Sequence, residues 1–246
     1  MREPDAAFAD PRQAVLYDVF DDDRSDLDAY VAIAREIGAR RVIDLGCGTG
    51  SLAVRLAGDG LSVVGVDPAG ASVEVARTKP YADRVTWITG DATALAGDPG
   101  EADMVVMTGN VAQVFVSDAD WSATLAAARA ALRPGGWFVF ETRRPEVRDW
   151  EGWDVAPTTV SLPDGRTAVV SGTVTVVDLP LVTFERSTTI DEEILTSTST
   201  LRFRERDEIE RDLLAHGFAV EDVRDAPDRP GKELVFLARV RFEKGL

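Results

Sequence analysis

The chain has 246 residues, of which 45% are hydrophobic and 28% charged, and its formal net charge is -16. This length fits one α/β domain with an insertion, and the hydrophobic fraction is ample for a core, which excludes a disordered chain. So many carboxylates repel a phosphate backbone and an anionic bilayer surface. We therefore expect a small-molecule substrate, and neither nucleic acid nor membrane as a partner.

Three features that the sequence lacks, a possible disulfide, a signal peptide and a membrane-spanning stretch, help to predict the cellular compartment. Cys47 is the one cysteine, so no disulfide can form within the chain. The acidic residues 1–5 run into no apolar core of a signal peptide, and no stretch approaches the roughly 20 apolar residues that span a bilayer. We expect a cytoplasmic protein.

The first part of the chain alternates short apolar runs with amphipathic segments, which is typical of a doubly wound, mostly parallel sheet. The predicted strands are 41–45, 62–66, 85–89, 104–108 and 137–141, and the predicted helices are 50–57, 71–78 and 118–132. The last helix is expected to end at Pro134-Gly135-Gly136, because proline cannot continue a helix and glycine tolerates the turn.

The pattern changes between Thr158 and Phe203, where Val, Thr and Leu dominate. Turn signals at 163–165, 178–180 and 191–192 predict a set of antiparallel strands inserted into the fold. A helix over 205–216 and strands over 220–224 and 233–240 then complete a seven-stranded sheet. We predict a lid or helical segment over 1–36, a core over 37–148 and 204–246, and an antiparallel β cap over 149–203.

A glycine-rich loop, Asp44-Leu45-Gly46-Cys47-Gly48-Thr49-Gly50, joins the first strand to the first core helix. Doubly wound folds bind ligands at such a loop, because glycine lets the backbone approach the ligand closely. The dinucleotide fingerprint G-x-G-x-x-G would need a third glycine where Ser51 stands. The spacing therefore points away from a pyrophosphate, but the loop alone does not name its ligand.

Four more motifs follow in order along the chain: VVGVD (63–67), ITGDA (88–92), MTGN (107–110) and LRPGGWFVFE (132–141). Together with DLGCGTG (44–50), the set resembles class I S-adenosylmethionine (SAM)-dependent methyltransferases, in particular their small-molecule branch. The β-rich insertion is similar to the cap of amino-sugar N-methyltransferases. The resemblance covers roughly the first 145 residues, and the late helix and two last strands also fit it.

The resemblance implies SAM as the cofactor and S-adenosylhomocysteine (SAH) as its product. It assigns Asp44 and the loop residues Gly46, Cys47 and Gly48 to the methionine part. The ribose is assigned to Asp67, followed by Pro68, and the adenine to Asp91 and Ala92. Asn110 would lie beside the reacting methyl. The chain lacks an Asn-Pro-Pro-Tyr motif after the fourth strand, which weakens any assignment to nucleobase or glutamine amide methylation.

The catalytic residues stay unassigned, with Tyr17, Asn110 and Arg143 as candidates. Tyr17 stands where a lid tyrosine would be, Asn110 could orient a polar group, and Arg143 could meet a substrate carboxylate. Packing, loop hydrogen bonding and a solvated cation explain the three equally well or better. The one histidine, His216, is interpreted as a structural residue at a helix end.

No spacing of His, Cys and carboxylates is typical of a metal site, so we expect no metal. The run Asp21-Asp22-Asp23 is interpreted as a solvated turn.

The function favoured by the sequence is transfer of the SAM methyl group to N or O of a small metabolite. One alternative is a SAM- or SAH-binding module or partner subunit without catalysis, and another is a nicotinamide-dependent oxidoreductase. The cap could also pair two copies as a homodimer. One face of its last strand, Thr196, Thr198 and Thr200, would either line a polar pocket or meet water.

Overall fold

The computed structural model describes residues 3–20, 23–95, 100–162 and 164–241. Asp21 and Asp22 of the predicted acidic turn, and Pro163 of the first predicted cap turn, lie outside the described residues. The helices are α1 Ala6–Ala9, α2 Pro11–Phe20, α3 Asp28–Glu36, α4 Ser51–Gly58, α5 Gly70–Ala76, α6 Asp118–Ala131 and α7 Arg206–Ala215. The strands are β1 Arg41–Leu45, β2 Ser62–Asp67, β3 Val85–Thr89, β4 Ala102–Met107, β5 Leu132–Arg143, β6 Val155–Ser161, β7 Thr167–Asp178, β8 Leu181–Ile190, β9 Glu193–Arg202, β10 Phe218–Asp225 and β11 Glu233–Val240.

The main sheet has seven strands in the order β10-β11-β5-β4-β1-β2-β3. Strands β1 to β5 are parallel to one another, β11 pairs antiparallel with β5, and β10 pairs antiparallel with β11. The strand order reverses between β1 and β4, because β2 and β3 follow on one side of β1 and β4 and β5 on the other. Doubly wound sheets bind ligands at such a topological switch point. The predicted mostly parallel α/β fold is confirmed.

Helices cover both faces of this sheet. Ile43 of β1 and Val105 of β4 point to one face, where they pack with Trp121 and Leu125 of α6. The alternate residues, such as Val42 and Met104, point to the other face and pack with α3 and α4. Burial on both faces explains why these strands read as nearly continuous apolar runs.

Strand β5 begins five residues before the predicted start, at Leu132 rather than Trp137. Its register against β4 shifts, since Ala102 pairs with Leu132 and Met104 with Trp137. Gly135, with φ +74°, lies within the extra residues. The predicted Pro-Gly-Gly turn is thus an irregularity inside the strand, which turn signals cannot distinguish from a helix end.

The insertion is a separate antiparallel sheet of four strands, β6-β7-β8-β9. Two of the predicted turns lie between β7 and β8 and between β8 and β9. Trp150, Val182 and Phe203 form a small core beneath the sheet, and Leu16 of α2 packs against Leu162 and Ala168. The insertion therefore packs on the N-terminal segment (residues 3–36), and Arg202 of β9 joins it to the core by donating to the Val116 carbonyl oxygen at 3.2 Å.

Pairing of two copies through this sheet and the division of the chain into units stay predictions. Among the described residues, no helix has both the length and the apolar character needed to cross a membrane.

Candidate functional site

A cleft opens at the carboxyl ends of β1, β2, β3 and β4, the edge that the sequence predicted. The empty space within it, open solvent at the mouth included, is about 1320 Å³. The predicted residues Asp44, Gly46, Cys47, Gly48, Asp67, Pro68, Asp91 and Ala92 all line it, as does Tyr17.

The glycine loop is held in an unusual backbone conformation. Gly46, Gly48 and Gly50 have φ values of +76°, +52° and +78°, which side chains other than glycine rarely adopt. The amides of Gly46 and Cys47 donate to the carbonyl oxygen of Val66 at 2.8 and 3.1 Å. A Cβ atom on Gly46 would lie 2.6 Å from a methyl carbon of Val111, so Gly46 allows the loop after β4 to touch the glycine loop.

Asp67, at the end of β2, spans the two loops beside it. Its carboxylate accepts the amide of Gly48 at 2.8 Å and that of Ala69 at 2.8 Å. Burial raises the pKa of Asp67, whereas the two amides lower it. Each oxygen keeps a lone pair after these bonds, so the carboxylate can still accept two hydroxyl groups.

Asp44, at the end of β1, is the most unusual group of the cleft. The residue is 1% exposed, and its Oδ1 is a buried oxygen without a hydrogen-bond partner. Burial, and then the neighbouring Asp67, raise the pKa of Asp44 to about 7. A buried carboxyl oxygen without a donor costs free energy, and a ligand with N–H or cationic groups would remove that cost.

The end of β3 supplies Asp91 and the buried Ala92. The Asp91 carboxylate accepts the Thr93 amide at 2.8 Å and also its hydroxyl. Cys47 is almost fully buried, and burial raises the pKa of its thiol well above the usual value. A neutral thiol is a weak nucleophile, so Cys47 contributes cleft wall.

The N-terminal segment contributes two aromatic rings to the cleft lining. Phe8 and Tyr17 both line the cleft, and their ring centroids are 5.5 Å apart. The Ala7 amide donates to Ser197 Oγ at 2.9 Å, and the Ser72 hydroxyl donates to the Phe8 carbonyl at 2.9 Å. Two hydrogen bonds thus tie this segment to β9 and α5, and its predicted role as a lid stays a prediction.

A second set of bonds joins α2 to the glycine loop. The Thr49 hydroxyl donates to Asp18 at 2.7 Å, and Lys79 lies 2.7 Å from the same carboxylate. Lys79 also donates to Ser51 Oγ at 2.8 Å. Ser51 therefore binds a lysine of the protein itself at the position where a dinucleotide fold needs glycine.

The wall opposite the glycine loop was missed by sequence reasoning, apart from Thr200, whose strand face was one of two open interpretations as a pocket lining. Its members come from the loop after β4, from α6 and from the insertion: Val111, Val114, Phe115, Asp120 and Thr200. The one available signal was the spacing Ser117-x-x-Asp120, a capping pattern in which Ser117 Oγ accepts the Asp120 amide at 3.1 Å. The pattern predicts a helix start but not that Asp120 faces a cleft.

Two predicted residues do not line the cleft. The Asn110 side chain donates to Glu233 at 3.0 Å, and its backbone amide donates to Glu141 at 3.1 Å. Arg143 donates to Gln113 at 3.0 Å and lies over the Trp153 ring. Both residues therefore belong to a buried polar cluster behind the cleft wall.

His216 ends α7, as predicted, and lies outside the cleft lining. One ring nitrogen is 2.8 Å from the Ser122 hydroxyl and the other is 2.7 Å from the Asp212 carbonyl oxygen. Within the described ranges, no group of three or more His, Cys, Asp or Glu is arranged to hold a metal ion.

Residues 42–136 match the family described as methyltransferase domain. The ubiquinone biosynthesis O-methyltransferase of Thiobacillus denitrificans is 31% identical over 124 residues, which are 49% of this chain and 52% of the relative. A cypemycin N-terminal methyltransferase of Streptomyces is 32% identical over 147 residues, 60% of this chain and 59% of the relative. The chain thus spans about half the length of the curated relatives that it matches.

A solved structure extends the likeness to nearly the whole chain. The SAM-bound amino pentose methyltransferase of Micromonospora echinaspora superposes with a TM-score of 0.71 over 92% of this chain and 96% of that one, at 23% identity. This chain has the class I methyltransferase fold. The likeness includes the four-stranded insertion, since the aligned part exceeds the seven-stranded core.

Proposed function

We propose that this protein transfers the methyl group of SAM to a small molecule, and specifically to an amine nitrogen. The observation that carries the proposal is that Asp44, a residue of the cleft lining beside the glycine loop, has a buried Oδ1 without a hydrogen-bond partner. A ligand with an ammonium group at that point would pair the oxygen. The methionine part of SAM carries such a group.

The remaining donor-side residues fit the same ligand. Asp67 keeps one lone pair on each oxygen for two ribose hydroxyls, and Asp91 with the Ala92 amide lies one strand further for the adenine edge. Cys47 and Pro68 form the wall between them. This assignment uses the residues that the sequence predicted, except Asn110, whose side chain is bound to Glu233.

SAM, when bound, supplies an activated methyl group for in-line displacement. The protein then has to hold the acceptor atom in line with the methyl and keep water away. Phe8 and Tyr17 contribute two aromatic rings to the lining, while Val111 and Phe115 make the opposite wall apolar. The cleft lining includes no histidine, so deprotonation by an imidazole is not part of the proposal.

The charge of the cleft favours an amine over a hydroxyl as acceptor. Besides Asp44, Asp67 and Asp91, the lining contains Glu3, Asp5 and Asp120, and Arg24 is its one cation over the described residues. Methylation of a neutral amine moves positive charge from sulfur to nitrogen, and nearby carboxylates stabilise that charge as it develops. Methylation of a hydroxyl instead requires an oxyanion, which carboxylates destabilise.

The two curated relatives divide between these chemistries, one named an O-methyltransferase and the other an N-terminal methyltransferase. The amino pentose methyltransferase is named for an amine-bearing sugar. These names are compatible with an amine acceptor and with a hydroxyl acceptor. The carboxylates of the cleft are the reason for proposing the amine.

The test is SAH formation with matched pairs of small molecules that differ only by an amino or a hydroxyl group. We expect turnover with amines at rates at least about tenfold above the paired alcohols. Faster turnover of the alcohols would overturn the amine assignment. Tight SAH binding without turnover of any pair would favour a non-catalytic binding module.

A thermal-shift comparison of SAM and NAD tests the donor separately. A ligand present at about 100 times its Kd stabilises the protein by about 2.7 kcal/mol. We expect this stabilisation with SAM and SAH, and stabilisation by NAD alone would favour the oxidoreductase. Asp120→Asn is the matched variant for the acceptor, expected to raise the KM for the amine about tenfold while SAH binding changes little.

A further inference from the structure

A buried polar cluster lies behind the part of the cleft wall that is formed by the loop after β4. Its members are Tyr30 of α3, Asn110, Glu141 of β5 and Glu233 of β11, which are 3%, 4%, 7% and 2% exposed. None of these four lines the cleft. The donor and acceptor roles proposed above leave the cluster without a function.

Glu141 joins the cluster to the backbone of the cleft wall. Its carboxylate accepts the Asn110 amide at 3.1 Å and is hydrogen-bonded to the backbone of Gly109, and the Tyr30 hydroxyl donates to its other oxygen. The loop 108–111 supplies Thr108, Gly109 and Val111 to the cleft lining. The Glu141 carboxylate therefore binds the backbone of this loop on the side that faces away from the cleft.

Asn110 is held in the same direction by its side chain. Its backbone is left-handed, with φ +61°, and its Nδ2 donates to Glu233 at 3.0 Å. Glu233 is in turn bound by Arg229 at 3.0 Å and lies 3.6 Å from Arg143. A left-handed asparagine persists where its surroundings over-determine it, which these bonds do.

The loop also touches the donor side directly. Val111 packs so closely on Gly46 that a Cβ atom there would lie 2.6 and 2.7 Å from its two methyl carbons. Movement of Gly109 and Asn110 would carry Val111 with it, and so change the separation between the two walls of the cleft.

Retaining Glu141 costs stability. Burial and the neighbouring Glu233 raise the pKa of Glu141 to about 7, which means that its charged form is unfavourable there. Packed apolar side chains are often as stable as, or more stable than, buried charged groups. A carboxylate kept at this cost needs a purpose other than stability.

We propose that Glu141 is a positioning residue, which fixes the loop 108–111 against Gly46 and thereby sets the distance between the donor wall and the acceptor wall. This inference rests on the proposed function for its effect on turnover. Its effect on the loop does not depend on that function.

The first test measures hydrogen exchange of backbone amides by NMR in the ligand-free protein. In Glu141→Leu, we expect exchange of the Gly109 and Asn110 amides to rise at least about tenfold, with residues 104–106 of β4 unchanged. Glu141→Gln keeps an acceptor oxygen and should retain protection. Tyr30→Phe is the matched control, because it removes the hydroxyl that donates to Glu141 but leaves the hydrogen bonds between Glu141 and the loop.

Glu141→Asp serves if the leucine variant does not fold, because its shorter side chain keeps the charge but cannot reach both amides. Unchanged exchange at Gly109 and Asn110 in either variant would overturn the positioning role, whatever the protein catalyses.

The second test uses turnover of an amine acceptor. We expect Glu141→Leu to lower kcat at least about tenfold with KM values within about threefold, and Glu141→Gln to restore kcat, because alignment of donor and acceptor is lost rather than binding. A fall in SAH affinity as large as the fall in kcat would overturn the positioning role of Glu141, because it would show that the substitution disrupts the whole cleft. Faster exchange in a protein whose wild type shows no turnover would refute the proposed function and leave the loop result standing.

Discussion

The two walls of the cleft are built in different ways. The donor wall uses residues that follow directly on the parallel strands β1, β2 and β3, and much of its binding surface is backbone held by positive φ values. The acceptor wall combines side chains from the loop after β4, α6 and β9, which are far apart in sequence. The first wall is a property of strand ends, and the second depends on how distant elements pack.

Because of this difference, the two walls should differ in how well they tolerate amino-acid substitutions. A change in the donor wall alters backbone geometry shared by adjacent residues, whereas a change in the acceptor wall removes one side chain from an assembled surface. We therefore expect substitutions in the donor wall to have larger effects than substitutions in the acceptor wall.

The largest effect is expected at Gly46, where the walls touch. Gly46→Ala places a Cβ 2.6 Å from Val111 and forces alanine into φ +76°, which should cost about 2–4 kcal/mol of unfolding free energy. Gly48→Ala is the matched control, since φ is +52° but no atom lies within 4 Å, and should cost about 1 kcal/mol. Denaturant unfolding measures both.

Val111→Ala combined with Gly46→Ala should recover part of the loss, because the two residues are in contact. Equal costs for the two glycine variants, or strict additivity in the double variant, would show that the walls are not mechanically joined.

A smaller effect is expected at Asp44. The ionised form pairs with the ligand ammonium, and the pKa of Asp44 in the ligand-free protein is about 7, so SAH affinity should be constant above pH 7 and fall as the pH drops below it. Asp44→Asn should weaken SAH binding at pH 8 by about tenfold to a hundredfold and remove most of this pH dependence. Isothermal titration calorimetry between pH 5.5 and 8.5 measures both.

The same substitution should stabilise the ligand-free protein at pH 8. A folded pKa of about 7 lies above the unfolded value near 3.9, so the folded state holds a proton between these values and loses stability as the pH rises through them. Asparagine avoids that loss, which between these two pKa values is at most about 4 kcal/mol at pH 8. Asp120→Asn on the acceptor wall is the control and should leave the pH dependence of SAH binding as it is; a wild-type affinity that is flat down to pH 5.5 would contradict the role of Asp44.

The smallest effect is expected at the insertion. Thr200 lines the cleft, whereas Thr196 on the same face of β9 is exposed. Thr200→Val should raise the acceptor KM about twofold to fivefold without changing SAH affinity, and Thr196→Val should change neither, because a lost neutral hydrogen bond costs about 1 kcal/mol or less. Steady-state kinetics with the amine acceptor distinguishes the two, and equal behaviour would place the acceptor away from the insertion.

Most of the sheet, and the cleft-lining residues at the ends of β1, β2 and β3, were predictable, because both depend on local sequence. The strands 41–45, 85–89 and 233–240 were predicted with the bounds that the structure gives, since each is a short apolar run between turn signals. The early start of β5 was not, because its bulge depends on pairing with β4. Period and turn chemistry report on neighbours in sequence, not on register across a sheet.

The residues after β4 and β5 show where prediction from sequence ended. Asn110 and Arg143 follow the strand ends at which ligand-binding residues occur, yet their side chains point to Glu233 and Gln113 behind the wall. The direction of a side chain after a strand depends on the next turn, and here Asn110 is left-handed. Phe8, Asp120 and Thr200, by contrast, carry no motif and line the cleft.

The sequence by itself determined the parallel sheet, its glycine loop and the carboxylates of Asp44, Asp67 and Asp91, because strand ends and positive-φ glycines are written locally in the chain. Only the tertiary structure decided that Asp44 keeps an oxygen without a partner, that Val111 rests on Gly46, and that Glu141 holds the loop between them. These are contacts between strands and loops distant in sequence, and close packing alone fixes them.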